Sequence, residues 1–232
     1  MLGPLRQAAR LCCTRGTTLR GVNLQLAAAA KYSDIKREPY PLSRFPYPKS
    51  TDDLEPDIKE RMDKIQEASG FMPNVFTALS HRPDEFRAFF MYYDTLMDKE
   101  TGSLTKAEKE MIVIATSAHN NCHYCIVAHS ALHRIYAKDP YKADQIAISP
   151  ESANLTDREK AIVKFAMKVC KSEPISDSDI AELEGQGLSR EDTWDVGAIA
   201  AFFALSNRMA HLTAMRPNEE FYIMGRVPKP KL

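Results

Sequence analysis

Two short signatures constrain this chain most. Thr105 is followed three residues later by Glu108, and Thr156 by Glu159, and each pair opens a run whose apolar residues recur at helical spacing. A hydroxyl that accepts one first-turn amide, with a carboxylate reaching back to another, satisfies backbone donors that a helix cannot satisfy by itself. Ser189 with Asp192 is a looser version of the same device. No stretch sustains an apolar–polar alternation of period two, so the expected fold is all-α. Helices are predicted over 56–69, 73–80, 83–97, 106–119, 122–136, 157–171, 178–184 and 190–215. Pro39, Pro41, Pro46, Pro48 and Pro56 each remove a backbone donor and disfavour helix before them, which makes 34–56 an extended arm. The helical domain is expected over 57–216, with a C-terminal tail over 217–232.

The charge balance excludes one class of partner. Thirty-one basic residues face thirty-one acidic ones, so no net field is available to hold a polyphosphate, and nucleic acid is not an expected partner. The apolar run 197–205 is broken by Ser206, Asn207 and Arg208, well short of the roughly 20 residues a bilayer span needs, so no membrane association is expected. Residues 1–33 contain no acidic side chain, and Arg6, Arg10, Arg15 and Arg20 are interspersed with leucine, small and hydroxyl residues. That pattern reads as a mitochondrial transit peptide and predicts a matrix location. Lys229-Pro230-Lys231-Leu232 makes a degenerate peroxisomal signal the alternative. Cys12 and Cys13 would leave with a presequence, and Cys122, Cys125 and Cys170 would remain. An odd number with one close pair points to a redox or metal site rather than to a secreted disulfide framework.

The informative stretch runs from Glu110 to His129. Asn120 and Asn121 separate two helical patterns as turn and N-cap residues, which predicts a helix hairpin with Cys122 at the start of its second arm. On that arm Cys122, Cys125, His129 and Leu132 follow spacings of three, four and three, and therefore share a face. Glu110 and His129 lie at similar distances from the turn, so antiparallel arms bring carboxylate, imidazole and two thiols together. A thiolate, not a thiol, attacks a peroxide oxygen, and an ordinary cysteine is mostly protonated near neutrality. His129 is placed to take the proton, Glu110 to hold the imidazole in one tautomer, and the free amides of the helix start to favour charge on sulfur. A second cysteine then resolves the sulfenic acid as a disulfide.

A glutamate, a cysteine twelve residues on, and then Cys-x-x-Cys-x-x-x-His resembles the AhpD-like alkylhydroperoxidases of the carboxymuconolactone decarboxylase superfamily, over roughly residues 53–215. The resemblance implies an AhpD-like helical bundle that assembles as a homo-oligomer, with Cys125 as the attacking thiol, Cys122 as the resolving thiol, and His129 with Glu110 as the proton relay. It implies a thiol-dependent peroxidase that reduces a hydroperoxide without haem, flavin or other cofactor. An external dithiol, a dihydrolipoyl group or a thioredoxin-like protein, would reduce the disulfide. Well-known members carry a histidine immediately before the second cysteine, where this chain has Tyr124.

Other readings stand beside this one. Cys122 and Cys125 are alternatively small buried hydrophobes, and Glu110 alternatively pairs with an arginine such as Arg208. Cys122, Cys125, His129 and His133 cannot bind one ion together, since Cys125 and His133 lie about 12 Å apart along a helix. A three-ligand site with Glu110 remains open, although no metal is expected. His119, His123 and His133 are read as surface or packing residues and Cys170 as core. Trp194, Phe202 and Phe203 are read as core or subunit interface. A non-enzymatic redox-sensing or assembly protein on the same fold is the alternative function. Lactone decarboxylase chemistry is disfavoured by the cysteine pair.

Overall fold

The computed structural model describes residues 41–226, and among them it is helical throughout, without strands. After a 3-10 turn at Thr51–Asp53 come α1 (Pro56–Ser69), α2 (Asn74–Leu79), α3 (Pro83–Met97), α4 (Lys106–His119) and α5 (His123–Ala137). These are followed by α6 (Lys142–Ile148), α7 (Asp157–Cys170), α8 (Asp177–Gly185), α9 (Arg190–Thr213) and a single turn, α10 (Glu220–Ile223). The proposed presequence, with Cys12 and Cys13, and the last residues of the chain lie outside the described residues.

Caps explain where the long helices begin. Complete capping boxes stand at Thr105 with Glu108, Thr156 with Glu159 and Ser189 with Asp192, where the sequence places them, and at Ser176 with Asp179, where it was not read. Pro56 and Pro83 occupy the first turns of α1 and α3, where a missing N–H costs nothing. The seven-residue α6 escapes sequence reading because it lacks a side-chain cap and buries only Ala143 and Ile146.

The core is organised around α4, every residue of which from Glu108 to Ser117 is buried. It packs against α5, α6, α7 and α9. Ile112, Ile114, Ile162, Ile199 and Phe203 are among the side chains that fill the space between them. A helix buried on all sides must also bury polar residues, and each then needs a partner. Lys109, the clearest case, donates from Nζ to the carbonyls of Leu96, Met97 and Lys99, satisfying the frayed end of α3. Trp194 is 73% exposed and contributes nothing to this core, unlike Phe202 and Phe203.

A second apolar cluster forms beside α5 from Ala78 of α2, Ala210 and Met215 at the end of α9, and Phe221 of α10. Residues 217–226 are tied to the bundle by Arg134, which donates to the carbonyls of Phe221 and Met224. Asn218 accepts from the amide of Asn74 and donates to the carbonyl of Met72. These ties hold the apolar cluster against α5.

Candidate active site: a dithiol at the start of a helix

The turn between α4 and α5 is Asn120, Asn121 and Cys122. Asn121 takes the left-handed conformation at φ 55°, a place where asparagine is one of the few tolerated side chains. The helix cap itself is Cys122, and not the asparagine that the sequence suggests. Its Sγ accepts the backbone N–H of Cys125 at 3.4 Å, as a serine or aspartate oxygen would. The Cys122 amide donates to the carbonyl of Ser117 at 2.9 Å, which locks the turn to the end of α4. Both sulfurs are reduced and buried, with Cys122 1% exposed and Cys125 2%.

Glu110 and His129 meet across the two helices. Oε2 of Glu110 lies 2.6 Å from Nδ1 of His129, and both side chains are buried. The contact puts the proton of a neutral imidazole on Nδ1 and leaves Nε2 as the free position. The ring stands edge-on to Phe203, with centroids 4.7 Å apart. Glu110 therefore pairs with the histidine, while Arg208 donates to the carbonyl of Ala204. Among the described residues no hydrogen bond joins His129 to either sulfur, so the four predicted residues form two pairs.

α9 spans both pairs. Phe203 faces the imidazole, and Ser206, three residues on, places Oγ 3.9 Å from Sγ of Cys125. Asn207 is fully buried: its Oδ1 accepts from Nδ2 of Asn120 and its Nδ2 donates to Oγ of Ser117, both at 2.9 Å. Nε2 of His211 lies 3.0 Å from the carbonyl oxygen of Asn120. Sequence reading passed over these groups, though it met their signal, since Ser206 and Asn207 interrupt an otherwise apolar run that a core helix has no other reason to break.

The two sulfurs differ in acidity. The thiol of Cys122 is lowered to about 6, chiefly by the hydrogen bond it receives from the Cys125 thiol, and further by the Cys125 amide, His211 and Asn207, against the opposing effect of burial. Cys125 is pushed well above the ordinary range, first by its hydrogen bond to Cys122 and then by burial. The direction of the two shifts favours negative charge on Cys122 over Cys125, where the helix start receives it. This order of acidity is opposite to the one that an attacking Cys125 and a resolving Cys122 suggest.

The remaining predicted groups do other work. Tyr124 is buried against Phe221, and its hydroxyl accepts the amide of Val75 at 3.2 Å, so it caps the first turn of α2. Burial raises its phenol above the ordinary value, and it takes no part in the Glu110–His129 pair. His123 is exposed, with Nε2 2.7 Å from the hydroxyl of Tyr222. Cys170 accepts from Asn120 at 3.5 Å and donates to the carbonyl of Thr116 at 3.7 Å, and burial raises its thiol. No three Cys, His, Asp or Glu side chains converge as a metal site among the described residues. An apolar cavity of about 740 Å³ lies against the other face of α9, between Phe89, Tyr92, Leu205 and Met209, and none of the four candidate residues lines it.

Comparison with solved structures decides the kinship. A peroxidase-related protein from Ralstonia eutropha JMP134, described as an alkylhydroperoxidase AhpD core, is 53% identical with a TM-score of 0.80, covering 82% of this chain and 100% of that one. The carboxymuconolactone decarboxylase family model matches residues 83–168. The chain belongs to the carboxymuconolactone decarboxylase family. A peroxidase-related protein from Silicibacter sp. TM1040, 32% identical with a TM-score of 0.76 and the same coverage, places this family member in the AhpD-like, peroxidase-related branch. The debrominase Bmp8 shares the fold at 19% identity and a TM-score of 0.65, covering 80% of this chain and 98% of its own. Comparison with curated proteins gave no match. Within the family the all-helical, AhpD-like bundle expected from the sequence is the observed one.

Proposed function

We propose that this family member is a thiol-dependent peroxidase that reduces hydroperoxides through the Cys122–Cys125 dithiol. The observation that carries the reading is the pair of buried, reduced sulfurs one helical turn apart at the start of α5, where Sγ of Cys122 accepts the Cys125 amide; consistent with it, the Cys122 thiol is lowered to about 6. A pair that keeps one thiolate near neutral pH supplies a nucleophile without metal or cofactor.

In the proposed cycle Cys125 is the attacking sulfur, the role its resemblance to AhpD-like enzymes implies. Its proton passes to the Cys122 thiolate or to the free nitrogen of His129, which Glu110 orients. The Cys125 thiolate attacks the distal peroxide oxygen and the O–O bond breaks. This gives Cys125 sulfenic acid and an alkoxide, which takes a proton to leave as alcohol. Cys122, again a thiolate, displaces hydroxide from the sulfenic acid and closes the disulfide. An external dithiol, a dihydrolipoyl group or a thioredoxin-like protein, then returns the pair to its reduced form by two exchange steps. In the balance one hydroperoxide and two thiols become one alcohol, one water and one disulfide.

Peroxide consumption with a dithiol reductant tests the reading. The unchanged protein should turn over while Cys125→Ser does not. Equal rates for the two proteins would refute the mechanism. Reaction of Cys125→Ser with one equivalent of peroxide, leaving a sulfenic acid on Cys122, would reverse the roles of the two sulfurs.

A further inference from the structure

The inner face of α9 carries Phe203, Ser206 and Asn207 toward α4 and α5. Its outer face carries a second pattern. Trp194, Ala198, Ala201, Leu205, Arg208 and Leu212 follow spacings of four, three, four, three and four, which hold them on one stripe along the helix. None of the six is buried. A stripe of this period is what two helices need to pack along their length, and five of its six side chains are apolar.

The stripe is symmetric about its midpoint, near residue 203. Laid antiparallel on a second α9 about a two-fold axis there, it sets Leu205 against the partner's Ala201 and Arg208 against the partner's Ala198. A long side chain meets an alanine at each of these positions, so the helices can approach closely. A parallel pairing in register would instead set Arg208 against the partner's Arg208, two like charges, and leave alanine facing alanine.

At the ends of the antiparallel seam Trp194 meets the partner's Leu212, large against large, and there the molecule supplies space. The apolar cavity of about 740 Å³ is lined by Leu205, Met209 and Leu212 of α9 and by Phe89 and Tyr92 of α3. Trp194 is exposed, makes no ring contact among the described residues, and does not line that cavity. Eighteen residues, about 27 Å of helix, separate it from Leu212 in its own chain. An antiparallel partner brings it to the cavity's mouth.

We propose that the outer face of α9 docks a second copy of this chain about a two-fold axis, with Trp194 of each copy seated in the α3–α9 cavity of the other. An isologous contact uses one patch twice, and here knob and hole lie on the same patch. A tryptophan entering an apolar pocket is the kind of anchor that dominates such a contact. The docking face lies across α9 from the dithiol and is independent of the chemistry proposed there.

Trp194 is the only tryptophan of the chain, so its fluorescence reports this contact alone. Sedimentation of the full-length protein should give an even number of copies, with the emission blue-shifted and shielded from acrylamide. Ala201→Arg puts a charge at the centre of the seam from an exposed position, against the partner's Leu205. It should halve the mass and shift the emission to that of an exposed indole, with helical circular dichroism unchanged. Leu205→Lys carries the same test if Ala201→Arg does not fold. Trp194→Ala should raise the dissociation constant of the pair by roughly tenfold or more. A protein that is monomeric at every concentration overturns the proposal, as does an assembly whose mass survives the folded seam variants. Blue-shifted emission from a monomer also overturns it, since another part of the same chain would then cover Trp194.

Discussion

Lys109 and Glu110 are neighbours in the middle of the same buried helix, and they do opposite kinds of work. Lys109 spends its charge on three backbone carbonyls that cannot change protonation state, and it does nothing but hold the end of α3 against α4. Glu110 faces the imidazole of His129, a group able to pass a proton on rather than only to hold one. The same contrast separates the two ends of α4. At its start Glu108 is saturated by Thr105 and Arg158, while Asp192 accepts from both the amide and the hydroxyl of Ser103 and Ser189. Gly102, at φ 90°, allows the close approach, since a Cβ there would lie 2.7 Å from Asp192 Oδ1. At its end the partners include thiols and an imidazole, which can exchange protons. A buried charge is structural when its partners are fixed and chemical when they titrate.

Cys122→Ser leaves Cys125 without a resolving partner. Steady-state turnover with a dithiol should fall by on the order of a hundredfold, with Cys125 driven to the sulfinic acid in excess peroxide, as mass spectrometry would read. Turnover close to that of the unchanged protein would show that the two sulfurs do not act as a pair. The structural pole should answer in stability instead. Lys109→Met strands three carbonyls and should cost about 3 kcal/mol in denaturant unfolding. The alkylation midpoint of the dithiol should stay put, and a shift would mean that the two poles are coupled.

Glu110→Gln sharpens the contrast from the other side. It should lower peroxide turnover by roughly a hundredfold, the range for a misdirected acid–base group, while the protein stays folded. A lower denaturant midpoint with unchanged specific activity of the folded protein would give Glu110 a structural role instead.

The smallest effect concerns His133, which is 1% exposed, has no partner for Nδ1, and is lowered to about 4 by burial and by Lys142 and Arg134, against Glu159 and Asp139. Its folded value lies below the unfolded one of 6.5. The unfolded chain therefore takes up a proton that the folded protein refuses, and stability falls as the pH drops from 6.5 toward 4. Between pH 6.5 and 5 the loss should be about 2 kcal/mol. His133→Phe should flatten that part of the stability profile, and an unchanged slope would assign the acid sensitivity elsewhere.

Much of the scaffold was legible before the fold was known, because its information is local. A capping box is complete within four residues, so Thr105 with Glu108 and Thr156 with Glu159 mark helix starts wherever the chain then goes. Spacings of three and four along a helix put Cys122, Cys125 and His129 on one face for the same reason, and the short turn brings Glu110 level with His129. What could not be read was what depends on a distant segment. Tyr124 faces Val75, from a helix nearly fifty residues earlier, and so becomes a cap rather than a relay. Ser206 reaches the Cys125 sulfur, and Asn207 reaches Ser117 beside the turn, from more than eighty residues away, and only the crossing of α9 over α4 and α5 brings them there. The order of acidity in the dithiol is of this second kind. It depends on which donors surround each sulfur and on how dry the cluster is, and spacing along one helix carries neither quantity.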